Sequence, residues 1–283
     1  MNRRRLLVGL GTAAAVGLAG CSGDDSDGGN ESDDTGGDST DRPFPDADWR
    51  SEDGLDLPTL AARHADALVD AGGATLFSTA ATSHDGDAEP TPWLPSQEYE
   101  AAYDLENGRQ HVRQELTETE QVDASELYVA DGLALIRREA GGETRYARRA
   151  VDRSDGDLES LMRSEVATGI RVEGETAGGE AEYEGLNLWN PTSDGGGEVR
   201  GEPTARFTAD AFDGDRSVPE TVDTASATVH VYESGVVPRL EQSWAGTHDE
   251  QAASVDVDID YRDVGATVPV PDWVETARDE TGD

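Results

Sequence analysis

Residues 255–261 read Val-Asp-Val-Asp-Ile-Asp-Tyr, a strict alternation of apolar or aromatic side chains with acidic ones. Successive side chains of a β-strand point to opposite faces of the sheet, so this pattern predicts a strand with its apolar residues on one face and its aspartates on the other. One buried and one hydrated face is typical of antiparallel sheets. The stretch therefore predicts an antiparallel sheet whose apolar face is covered by other parts of the chain.

The same alternation occurs along most of the chain before this stretch. Residues 127–136 (LYVADGLALI) contain an Asp-Gly pair between two apolar runs, which is a strong signal for a β-hairpin. Residues 194–197 (DGGG) are predicted to form a loop. The remaining predicted strands are 74–80, 144–149, 183–189, 205–207, 227–232 and 237–244.

Three segments have helical rather than alternating spacing. Leu57–Ala71 carries apolar residues on one helical face and follows Asp56, a residue type that caps helices. Asp157–Thr168 predicts a shorter amphipathic helix, and a closing helix is expected from Pro271 to about Arg278. The fold class is therefore α+β: a large curved antiparallel β-sheet, or half-barrel, with N-terminal, mid-chain and short C-terminal helices.

The first twenty residues have the order of an export signal. Arg3 and Arg4 belong to a positive stretch that precedes the uncharged residues 6–20, and this apolar segment is shorter than the ~20 residues that span a bilayer. We therefore predict a signal peptide over residues 1–20. The Arg-Arg pair followed by two leucines resembles a twin-arginine export motif, although a general secretion signal also needs positive charge here.

Cys21 is the single cysteine of the chain. The residues Leu18, Ala19 and Gly20 before it resemble the lipobox of lipoproteins, in which a cysteine after small residues is lipidated. This resemblance implies that Cys21 becomes the first residue of the mature protein and anchors it to the membrane. The expected location is the extracellular face of the cytoplasmic membrane.

The segment after the cysteine has almost no residue that a core could bury. Residues 21–42 consist mainly of Ser, Gly and Asp, which predicts an acidic disordered tether. Asn30 lies in an Asn-Glu-Ser sequon and is a candidate for glycosylation. We assign residues 43–278 to one β-rich domain and residues 279–283 to an acidic tail.

The charge balance excludes some partners. The chain has 61 acidic and 22 basic residues, a net charge of −39, and every basic residue is arginine. Such a surface repels phosphates, so we expect no nucleic-acid binding. The cost of self-repulsion is small when molar salt shortens the screening length. An acidic chain without lysine resembles proteins of extreme halophiles, in particular haloarchaea.

Several phrases of the sequence together resemble a known family. They are the lipobox LAGC, the opening helix LPTLAARHADALVDAGGATL, the hairpin LYVADGLALI and the ending VDVDIDYRDVGATVPVPDWVETA. In this combination the chain is similar to a haloarchaeal surface lipoprotein with a LolA/LppX-like domain. That resemblance implies a half-barrel closed by helices that carries lipids or lipoproteins in its hollow.

Residues that could perform catalysis are few. The chain has no GxSxG, HExxH or P-loop motif, and Ser83-His84-Asp85 has triad residue types only as chain neighbours. His64 lies on the apolar face of the first helix and is predicted to be a histidine at the edge of the core rather than a metal ligand. Asp256, Asp258 and Asp260 are interpreted as acidic surface rather than a calcium site. We expect no enzymatic activity, no cofactor and no metal.

The apolar residues of the predicted strands offer the best candidate site. Those expected on the concave face, where they form the core or line a cavity, are Leu76, Phe77, Leu133, Leu135, Leu186, Leu188, Trp189, Val229, Val231, Val257 and Ile259. Two hypotheses follow. The protein binds a lipid or a lipidated envelope protein in the cleft of the half-barrel, or its core is filled and the tethered domain docks an envelope protein.

Overall fold

The computed structural model describes most of the chain after residue 42. The described residues are 43–84, 96–116, 124–152, 155–168, 170, 186–214 and 219–282. By their internal contacts, Asp41–Asp283 form one compact unit. Residues 1–42 lie outside the described part of the chain. The predictions for the signal peptide, Cys21, the tether and Asn30 therefore concern residues that the structure does not describe.

A single antiparallel sheet dominates the described residues. Its 11 strands are β1 Thr75–His84, β2 Gln97–Asp104, β3 Arg109–Leu116, β4 Ala124–Ala130, β5 Leu133–Ala140, β6 Glu143–Ala150, β7 Thr192–Val199, β8 Glu202–Ala209, β9 Thr221–Val231, β10 Arg239–His248 and β11 Gln251–Arg262.

The strand order shows two meanders joined at the centre. It runs β6-β5-β4-β3-β2-β1-β11-β10-β9-β8-β7, and every pairing is antiparallel. The stretch 255–261 lies in β11, where Val257 pairs with Ala80 of β1 and with Gln242 of β10. Within the described residues the edge strands β6 and β7 do not pair with each other, so the sheet stays open. This confirms the α+β half-barrel class.

Three α-helices accompany the sheet in the described residues: α1 Leu57–Asp70, α2 Asp155–Thr168 and α3 Trp273–Thr281. Asp56 caps α1, since its Oδ1 accepts a hydrogen bond of 3.0 Å from the amide of Thr59. None of the helices in the described part of the chain has the length and apolar character that a membrane span requires. Helix α3 runs to Thr281, three residues beyond the end that the sequence predicts near Arg278.

The sheet has two distinct faces. We call the face that α1 and α2 cover the inner face; it carries Leu76, Val229 and Val257. The opposite, outer face is covered by α3 over β4–β6, and elsewhere it carries side chains such as Asp256. The valines and the aspartates of β11 point to these two faces respectively, as the alternation predicts.

Two local predictions are wrong. Residues 186–188, the described end of the strand predicted at 183–189, form a 3₁₀ turn, Leu186–Leu188. Residues 194–197 lie within strand β7 rather than in a loop. Their glycines have a packing reason, because a Cβ on Gly197 would approach the ring of His230 to 3.0 Å and the hydroxyl of Thr204 to 3.2 Å.

Candidate functional site

The inner face holds two apolar clusters. The first covers β8–β11 and is closed by residues from the chain before α1 and by the 3₁₀ turn; its buried members include Trp49, Phe207 and Trp244. The second covers β1–β3 and is closed by α1 and α2, with Leu68 and Met162 fully buried in it. Side chains thus fill most of the inner face.

One recess opens from the first cluster. Its volume is ≈ 430 Å³, within the range of small-molecule sites, and half of its ten lining residues are apolar. Two of its lining residues, Trp189 and Phe212, pack against each other with ring centres 5.1 Å apart. Behind them lies the ring of Trp244, 5.0 Å from Trp189 and edge-on to Phe212 at 5.6 Å. The lining residues are Leu188, Trp189, Asn190, Thr192, Thr208, Ala209, Asp210, Ala211, Phe212 and Asp213.

Trp189 carries a polar group that the packing leaves unsatisfied. The indole ring is 2% exposed, and its Nε1 finds no hydrogen-bond partner among the described residues. A buried donor without an acceptor costs free energy that a ligand oxygen or a water molecule can recover. One of the residues that line the recess thus carries an unsatisfied donor.

The predicted lining residues separate into two groups. Eight of them lie on the inner face or in the turn that covers it, namely Leu76, Leu186, Leu188, Trp189, Val229, Val231, Val257 and Ile259. Leu188 and Trp189 line the recess. The other six belong to the packed clusters or contact them. That these residues contact a ligand stays a prediction.

Three residues that were expected on the concave face lie on the outer face instead: Phe77, Leu133 and Leu135. Phe77 alternates with Leu76 in β1, and the guanidinium of Arg262 lies 4.3 Å from its ring centre. Leu133 and Leu135 pack under α3 in a third cluster. Alternation alone does not say which face of a strand is covered, and α3 creates a second buried surface on the outer side of the sheet.

His64 is a structural histidine. Its side chain is fully buried, and its Nδ1 accepts a hydrogen bond of 3.2 Å from the amide of Val237. Its ring packs edge-on against Tyr261 at 4.3 Å. Burial lowers the pKa of His64 to about 3, so the imidazole is neutral at physiological pH. His64 therefore packs as a structural residue, as expected, but it lies inside the core rather than at its edge.

Hydrogen bonds to a buried carboxylate connect helix α2 to the sheet, an arrangement that we call the Glu165 clamp. The hydroxyls of Tyr99 and Tyr103, both on β2, donate hydrogen bonds to the two oxygens of Glu165. Burial raises the pKa of Glu165 above its usual value. On the same helix, Arg163 pairs with Asp66 of α1 at 2.5 Å. The clamp was not predicted, although a glutamate at an apolar-face position of α2 is the sequence signal for it.

The outer face carries a polar groove of ≈ 290 Å³ across β1 and β9–β11. Its lining includes small residues such as Thr79 and Ser226, with acidic walls from Asp256 and Asp258. Arg239 binds Asp258 at 2.6 Å, which partly offsets the charge. The aspartates of β11 thus lie on the hydrated outer surface, as expected.

The Ser83-His84-Asp85 segment does not form a triad in the described residues. Ser83 and His84 are consecutive in β1, so their side chains point to opposite faces. The hydroxyl of Ser83 is hydrogen-bonded to that of Ser254 at 2.7 Å. Asp85 lies outside the described part of the chain.

Comparison with solved structures finds remote likenesses. A LolA superfamily protein from Nitrosomonas europaea is 9% identical with a TM-score of 0.22, covering 77% of this chain and 96% of its own. An outer membrane lipoprotein-sorting protein domain from Vibrio parahaemolyticus is 8% identical with a TM-score of 0.24, covering 77% of this chain and 100% of its own. The MucA/MucB complex of Pseudomonas aeruginosa gives 12% identity and a TM-score of 0.31, covering 78% of this chain and 60% of that one.

These likenesses are too weak to carry a functional argument, and the half-barrel architecture rests on the register of the chain's own sheet. No curated protein sequence matches the chain. The model of one family, described as a family of unknown function, matches residues 6–277. Since this match spans nearly the whole chain, the protein belongs to the family of unknown function DUF7537.

Proposed function

We propose that the protein is a lipid-anchored extracellular binding protein that takes a hydrophobic ligand, either a lipid or a lipidated partner, at the aromatic recess. The observation that carries this proposal is the recess of ≈ 430 Å³ that opens from the largest apolar cluster beside Trp189 and Phe212. Binding needs no covalent step, so the proposal includes no enzymatic activity.

The anchor and the location are proposed from the sequence. An export signal ends at Gly20, Cys21 carries the lipid, and the residues up to 42 give the domain reach from the membrane surface. A twin-arginine route and a haloarchaeal source fit the Arg3-Arg4 pair and the lysine-free acidic chain.

The recess has features that select among apolar ligands. Trp189, Phe212 and Leu188 offer apolar surface, whose burial is worth about 25 cal/mol per Å². Asp210 and Asp213 also line the recess and repel an anionic headgroup. We therefore propose that the hydrocarbon end of the ligand enters first and that the headgroup stays outside.

The test compares lipid binding by two phenylalanine variants. Phe212→Ala removes one wall of the recess, while Phe77→Ala removes a partly buried phenylalanine from the outer face and serves as the control. The proteins are purified from native membranes, extracted with organic solvent and analysed by mass spectrometry. We expect a lipid with the wild type and with Phe77→Ala, and at least a fivefold loss with Phe212→Ala.

Absence of lipid from the wild type, or equal lipid in all three proteins, would overturn the proposal. It would favour the alternative, a tethered domain with a filled core that docks an envelope protein. That alternative is supported by the dense packing of the inner clusters, where residues such as Leu60 and Val229 are 0% exposed.

A further inference from the structure

A group of metal-ligating side chains lies at the turn between β10 and β11, outside the recess. Glu220, His248 and Asp249 each offer a ligand atom, and these atoms lie within 4.8 Å of one another. Nδ1 of His248 is 3.8 Å from a carboxylate oxygen of Glu220, and Nε2 is 3.8 Å from one of Asp249. The ring of His84, at the end of β1, lies 5.9 Å from that of His248.

A register shift between two strands brings these residues together. Strand β9 shifts register against β10 between Ala245 and Gly246, so that Gly246 pairs with Val222. A Cβ on Gly246 would lie 1.7 Å from the carbonyl oxygen of Thr221, so only glycine allows this approach. As a result Glu220, two residues before Val222, lies on the same face as His248 and next to its ring.

The environment of His248 suits a metal ligand better than a solvated surface residue. Its side chain is only 8% exposed, and its Nδ1 is buried without a hydrogen-bond partner among the described residues. A separation of 3.8 Å from Glu220 is too long for a hydrogen bond. It is close to the roughly 3.3–3.5 Å that separates two ligands of one tetrahedral zinc ion.

We propose that this group binds a divalent transition-metal ion of the zinc class. Nδ1 of His248 and the carboxylate of Glu220 are the ligands within reach of one another. His84 is not part of that group in the structure, and a rotation of its ring supplies the third ligand from the neighbouring strand β1. Two imidazoles on one zinc ion place their ring centres roughly 5–6 Å apart, which the observed 5.9 Å matches.

Asp249 has a different role in this site. Its carboxylate lies 3.8 Å from Nε2 of His248, the nitrogen opposite the metal, which is beyond hydrogen-bond distance. A small movement of this exposed side chain would let it accept the N–H and fix the orientation of the ring. Asp249 is therefore a positioning residue. Nitrogen donors favour zinc, nickel or copper over magnesium and calcium, which prefer oxygen ligands only. The site goes beyond the proposed lipid binding and does not depend on it.

The test uses Co²⁺ and Zn²⁺ as probes on the purified full chain in molar salt, with excess Mg²⁺ to occupy unspecific carboxylates. We expect one Co²⁺ per chain, with visible absorption bands of nitrogen and oxygen coordination that Zn²⁺ removes. Glu220→Gln, His84→Gln and His248→Gln are expected to weaken Co²⁺ binding at least tenfold, and Asp249→Asn by a smaller factor.

His230→Gln is the matched control, because this histidine lies on β9 and its Nδ1 is hydrogen-bonded to Thr204 at 3.0 Å. It is expected to bind Co²⁺ as the wild type does. Glu220 is 56% exposed, so its variant tests the site even if the buried His248 variant does not fold. Binding that Glu220→Gln leaves unchanged, or no binding by the wild type, would overturn the proposal.

Discussion

Glu126 is the residue whose replacement gives the sharpest test of the structure. It lies on the outer face of β4, where its side chain is 9% exposed. Three donors surround its carboxylate: Nε1 of Trp273 at 2.8 Å, Nε2 of His111 at 3.1 Å and the guanidinium of Arg137. One carboxylate thus joins α3 to strands β3, β4 and β5.

The Glu126→Gln substitution keeps the shape of the side chain and removes its charge. Glutamine has one acceptor oxygen, so its amide group must face at least one of the three donors. Charge-assisted hydrogen bonds contribute about 1.5–3 kcal/mol, and breaking a buried ion pair costs about 3–5 kcal/mol. We expect a loss of about 2–3 kcal/mol in the free energy of unfolding at pH 7.

The pH dependence of this loss has a defined sign. The hydrogen bonds from His111, Trp273 and Arg137 outweigh burial and lower the pKa of Glu126 from 4.5 to about 2. Folding therefore favours the ionised form, and this stabilisation is complete above pH 4.5 and is lost as the pH falls towards 2. The variant has no such group, so the two proteins should converge in stability over that interval.

Urea unfolding at pH 7, 4 and 3, followed by tryptophan fluorescence, measures the effect. The control is Glu143→Gln, which removes an exposed carboxylate paired with Arg145 on β6 and should change little. A Glu126→Gln loss that stays the same from pH 7 to pH 3 would refute the assigned network, and so would a loss no larger than that of the control.

Three further predictions test the hydrogen bonds of Glu165, the register shift at Gly246 and the lipid anchor on Cys21. Burial raises the pKa of Glu165, so the folded state disfavours its ionised form. The free energy of unfolding of Glu165→Gln should therefore rise relative to that of the wild type as the pH increases from 4 to 7. Urea unfolding at both pH values measures this difference. Gly246→Ala should cost about 3 kcal/mol in unfolding free energy, since its Cβ collides with the backbone of Thr221. Cys21→Ser should abolish lipidation, so that fractionation finds the protein released or unprocessed, and unchanged retention and mass would contradict the anchor.

The sequence predicts those strands whose buried face is built from large apolar residues. The alternation at 255–261 and the Asp-Gly hairpin at 131–132 are confirmed. Strands β2 and β3 were not predicted, because their inner faces alternate Tyr, Ala and Gln and so carry little apolar contrast. Strand β7 was not predicted because its glycines mimic a loop, although they make room for the neighbouring strand.

The site was only partly predictable for a different reason. Period-two alternation gives the face of each residue relative to its neighbours but not which face a helix covers. Leu135 and Val229 have the same pattern, yet the first packs under α3 and the second lies on the inner face. The group around His248 depends on a register shift at Gly246, and no local pattern in the sequence indicates which strand lies opposite.

The two halves of the inner face differ in how they can open. Over β1–β3 the cover consists of helices α1 and α2. Displacing α2 would break the hydrogen bonds that two tyrosine hydroxyls donate to Glu165. Over β8–β10 the cover is the 3₁₀ turn and other irregular backbone, where the rings of Trp189 and Phe212 meet and a backbone hydrogen bond of 2.8 Å joins Asp213 to Leu188. Regions with few fixed hydrogen bonds open at lower free energy than packed helices. A ligand that enters this half-barrel should therefore displace Phe212 and leave the α1–α2 pair in place, so that lipid binding protects the recess and not the helices from hydrogen exchange.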